Sequence, residues 1–99
     1  MKILIRRLRK NKSWKETLCD GVPYTHPKIS NVTFVIHVEP PLLDRFYASE
    51  ITTGLRVHSD IPGNTISSVE KELSAFIEKT SNEKIYGFIE EWKKKLSIS

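Results

Sequence analysis

The apolar residues of this 99-residue chain change their period once. Val32, Phe34, Ile36 and Val38 alternate with Thr33, Val35 and His37, the period of two that a strand requires, whereas from Ile66 onward apolar residues recur three and four apart. Strands therefore come first and helices last. A chain of βαβ units would have to switch period repeatedly, so that class is excluded and an α+β fold is predicted. The expected architecture is an antiparallel sheet of four to five strands followed by two C-terminal amphipathic helices packed on one face. At this length one domain is expected, with strands and loops over 1–64 and helices over 65–79 and 82–96.

The helices carry their own boundaries. Ile66, Val69, Leu73, Phe76 and Ile77 form one stripe, and Thr65 stands where a hydroxyl would accept from the first free amides. Ile85, Phe88, Ile89, Trp92 and Leu96 form the second, with Thr80 and Glu83 spaced as a capping box ahead of them. On the outer face Glu90 precedes Lys94 and Glu91 precedes Lys95 in the favourable order, and lysines 93–95 lie at the negative end of the helix dipole. Packing against the sheet is the expected role of the second stripe, and a seam between two copies through Phe88 and Trp92 is the other.

Upstream, residues 2–9 read as a strand from their β-branched content, a second short strand is placed at 15–19, and 11–14 becomes a basic hairpin tip. Residues 45–51 and 55–58 form a hairpin, with Gly54 supplying the positive φ of its turn. Residues 20–31 contain Gly21, Pro23 and Pro27 without periodicity and are read as a loop. Residues 46–61, a turn and a helix make an outline shared by many small modules, and it assigns no family.

Charge is the one feature that points to a partner. The first fifteen residues hold seven Lys or Arg and no acid, whereas the remainder holds nine bases against twelve acids. A cationic edge thus sits on a slightly acidic body. Arg6, Arg7, Arg9, Lys10, Lys12 and Lys15 surround Trp14, and cations beside an aromatic ring suit either an acidic protein surface or a nucleic-acid backbone. Tyr24, Arg45 and Tyr47 complete the candidate contact set. The bland alternative is protection of a strand edge, with Trp14 packed inward.

Catalytic chemistry finds little support. Cys19, His26, His37 and His58 stand 7, 11 and 21 residues apart, without the short pairings of structural zinc sites, so no metal or other cofactor is expected. His37 and His58 on neighbouring strands beside Glu39 or Glu50 remain the one constellation that a fold could assemble. Neither Cys19 with His26 nor a serine with His58 and Asp60 shows the convergence that nucleophilic catalysis needs, and glycine-rich phosphate loops are missing. With one cysteine and no signal-like or membrane-spanning apolar run, a cytoplasmic protein is expected.

The reading is a small, basic, non-catalytic binding protein, an accessory, regulatory or inhibitor factor that engages an acidic protein through its N-terminal segment. A nucleic-acid-binding protein using the same Arg, Lys and Trp residues is the alternative, and a small hydrolase or nuclease the third.

Overall fold

The computed structural model describes residues 2–8, 11–39, 42–57 and 63–96. Four strands, β1 (Lys2–Leu8), β2 (Trp14–His26), β3 (Ile29–Glu39) and β4 (Leu42–Glu50), are followed by helices α1 (Ile66–Lys79) and α2 (Asn82–Lys95). The strands form an antiparallel meander in the order β1-β2-β3-β4. The α+β expectation therefore holds.

Both apolar faces of β3 are buried, which is why its alternation looked apolar on either side. Val32, Phe34 and Ile36 join Ala48 of β4 beneath Val69, Leu73 and Ile77 of α1 and Ile85 and Ile89 of α2. Val35, on the opposite face, packs with Ile3 and Ile5 of β1 and Cys19 of β2. Burying such side chains contributes roughly 1.5–3 kcal/mol each, so the helices and β1 are both well anchored to the sheet.

Residues 20–31 correct the loop expectation, because β2 runs unbroken through Gly21 and Pro23 to His26. Its first part pairs with β1 as far as Asp20, and its second part pairs with β3 from Gly21 onward. Beyond Asp20 the outer edge is no longer paired with β1, and a strand edge tolerates the missing amide of Pro23. Gly21 marks the change of partner: a β-carbon there would collide with Val35 and the Ile36 carbonyl, so the backbones approach more closely than any larger residue allows.

The hairpin after β4 forms as expected, although its return arm makes one isolated bridge, Ser49 to Arg56, in place of a full strand. Glu50 N–H donates to the Leu55 carbonyl at 3.0 Å, Val57 N–H to Ala48 at 3.0 Å, and Gly54 takes φ +70°. This arm also reaches β1, since Arg6 N–H donates to the Gly54 carbonyl at 2.9 Å. The first and last strands are thus linked through one segment. That link covers part of the β1 edge.

Helix ends follow their capping residues. Thr65 accepts from Ser68 N–H in a reciprocal box and starts α1. Ser81, not Thr80, caps α2 by accepting from Lys84 N–H, because Thr80 is already used to end α1.

Candidate functional site

Three elements converge around the two tryptophans. The β1–β2 register sets Arg6 opposite Glu16 and Leu8 opposite Trp14, which places Arg6 and Trp14 on one face of the hairpin. The return arm adds Leu55 and Arg56, and α2 lays Phe88 and Trp92 against the same place. The result is a shallow groove of about 350 Å³ lined by Arg6, Arg7, Arg56, Trp14, Trp92, Phe88 and Leu55. Three arginines border it together with three aromatic residues.

The aromatic floor is ordered by edge-to-face packing. Trp14 and Trp92 stand 5.8 Å apart at 89°, Phe88 lies 6.3 Å from Trp92, and Lys95 Nζ sits 4.6 Å above the Trp92 ring. Such pairs prefer this geometry because the positive ring edge meets the negative face. Trp14 therefore does two things, holding α2 onto the hairpin while lining the groove. Arg56 borders the groove, and its guanidinium lies 3.9 Å over the ring of Tyr47, a residue outside the groove lining.

The arginines are not equivalent. Arg6 Nη1 donates to the Thr53 carbonyl at 2.7 Å and its Nε lies 3.7 Å from Glu16, with the side chain only 18% exposed. It is held by the fold. Arg7 is exposed, and its place in the groove comes from the same strand.

Several expected contact residues are separated from this place. Lys12 and Lys15 are exposed on the hairpin, Lys12 at φ 65° in a tip where Asn11 Oδ1 accepts from Ser13. Tyr24 lies toward the other end of β2, packed against the helical core, Arg45 is exposed on β4, and Tyr47 is buried beneath Arg56. Arg9 and Lys10 lie outside the described residues. Sequence reasoning missed Arg56, Leu55 and the groove-facing role of Trp92. Arg56 carries no local signal, being brought in by the turn at Gly54, whereas the helical stripe did identify Trp92 as inward-facing.

The described members of the catalytic and metal candidates are engaged within the fold. His37 is 1% exposed, with Nε2 2.8 Å from Ser49 Oγ and Nδ1 3.3 Å from the Val38 carbonyl, so this pair is a hydrogen bond closed within the sheet. Glu50 is also buried, and its two carboxylate oxygens accept from Thr52 and Thr53 N–H at 2.7 and 2.8 Å. His58, Asp60 and the Glu39 side chain lie outside what is described. Cys19 sits in the Ile3–Ile5 cluster, while His26 accepts from Lys28 N–H at the far turn. Among the described residues no group of three His, Cys, Asp or Glu side chains is placed to hold a metal ion. No described helix is long and apolar enough to cross a membrane.

Compared with protein-family models, curated proteins and solved structures, the chain matches none.

Proposed function

We propose that this protein acts by binding, as an accessory, regulatory or inhibitor factor, and that the groove at Trp14 and Trp92 engages an acidic surface of another protein. The observation that carries this reading is the convergence of Arg6, Arg7 and Arg56 with Trp14, Trp92 and Phe88 in one hollow. Arginine and tryptophan are the side chains that dominate protein–protein hot spots, because each combines a large apolar area with directed polar groups. The same proposal places the protein in the cytoplasm and gives it neither a catalytic step nor a cofactor.

Protein is favoured over nucleic acid by the state of the rings. A base needs an open aromatic face on which to stack, whereas Lys95 covers Trp92 and the two indoles meet edge to face. Glu16, Glu90 and Glu91 on the neighbouring strand and helix also oppose a continuous phosphate track.

The chain contains only two tryptophans, and both line the groove. Intrinsic fluorescence therefore reports this site directly. Polyglutamate is expected to change the emission saturably and Arg7→Glu to weaken its binding at least about fivefold, whereas a single-stranded oligonucleotide of equal charge should bind less tightly. Tighter binding of the oligonucleotide, with a steep fall as salt rises, would replace the protein reading with the nucleic-acid one.

A further inference from the structure

Phe88 belongs to two hollows. It is 40% exposed, forms one wall of the arginine groove, and on its other side borders a separate hollow of about 190 Å³ between the helices and the sheet. The second hollow is walled by Phe34, Val57, Phe76, Ile85 and Ile89. Thr80 and the exposed Lys84 also border it. Glu50 reaches it too, with both carboxylate oxygens already accepting backbone N–H bonds.

Size and lining decide what such a space can take. A cavity of about 150 Å³ walled by Leu, Ile and Phe is enough to hold benzene, so this hollow admits one aromatic ring or one branched aliphatic side chain. It is too small for a helix. Its one exposed charge is the cation Lys84, and the arginines stand across Phe88, so the chain bearing that side chain would run between positive groups.

Resting on the groove reading above, we infer that the partner presents an acidic segment with a single large apolar anchor, whose side chain enters the hollow behind Phe88 while its carboxylates lie on the arginine groove. The two hollows then form one composite site. The arginines supply charge complementarity and orientation, and the hollow supplies the discrimination between acidic segments that charge alone cannot provide.

The test is a titration of isotope-labelled protein, followed by NMR, with a synthetic peptide of Asp and Glu residues bearing one central Phe and with a matched peptide bearing Ser in its place. The Phe peptide is expected to shift the Trp14 and Trp92 indole signals together with the Ile85 and Ile89 methyls. The Ser peptide is expected to shift the indoles alone and to bind about tenfold or more weakly, the scale of one buried aromatic side chain. Equal affinities with silent methyls would overturn the anchor and leave the groove reading standing. Indoles that respond to neither peptide would overturn the groove reading and this inference with it. A single-stranded oligonucleotide that moves the indoles when the peptides do not would overturn both in favour of nucleic acid.

Discussion

Arg6 is the residue at which charge and architecture meet. Counted as one of seven cations near the N-terminus, it looks interchangeable with Arg7, but its guanidinium is bonded to the Thr53 carbonyl and faces Glu16. Arg6→Ala removes a charge-assisted hydrogen bond across the closing arm, and a loss of about 1–2 kcal/mol in denaturant unfolding is expected. An unchanged midpoint would show that the arm is held without it. Arg7 is exposed and is the β1 arginine chosen to probe binding. Sequence patterning grouped Arg6, Arg7 and Trp14 because their charge and ring are intrinsic to them, and the structure sets all three along one groove. Arg56 could not be found that way, since its place depends on a turn that returns the chain to β1. Tyr47 fails in the opposite sense, named from the sequence as a contact residue but buried under Arg56.

Among the elements, the helices were the most legible. Thr65 and the 3.6-residue stripes are local signals, and the observed Ile66–Lys79 and Asn82–Lys95 agree with the expected 65–79 and 82–96 to within a residue, although Ser81 and not Thr80 caps the second helix. Residues 20–31 failed the same treatment because glycine and proline usually end strands. Here Gly21 admits a close backbone approach and Pro23 lies past the end of β1, both of which are tertiary facts. The turn following β2 has a further role that no periodicity reveals. Lys28 Nζ donates to the carbonyls of Ile77 and Thr80 at 2.6 and 2.5 Å, and the Lys28 carbonyl accepts from Asn82 Nδ2 at 2.8 Å. A lysine in the β2–β3 turn therefore satisfies the end of α1, placing a cation at the negative pole of the helix dipole. Lys28→Met keeps the aliphatic stem and removes the charge, so a loss of about 1–2 kcal/mol is expected, with unfolding monitored by circular dichroism. Retention of full stability would mean that water serves those carbonyls equally well.

At the scale of the molecule, an uneven charge distribution is folded onto one uneven surface. The β1–β2 hairpin carries the cations, the closing arm adds Arg56, and α2 provides the aromatic wall, so a site that spans three elements depends on the complete fold. Neither the hairpin nor the helix pair contains it alone. The direct measurement is capture of partners from nuclease-treated lysate of the source organism, with wild type and Arg7→Glu/Arg56→Glu compared side by side after both are shown to be equally folded. The predicted result is one acidic protein, stoichiometric with wild type and lost from the double variant. Equal recovery by both proteins, or retention only of nucleic acid before nuclease treatment, would contradict the account.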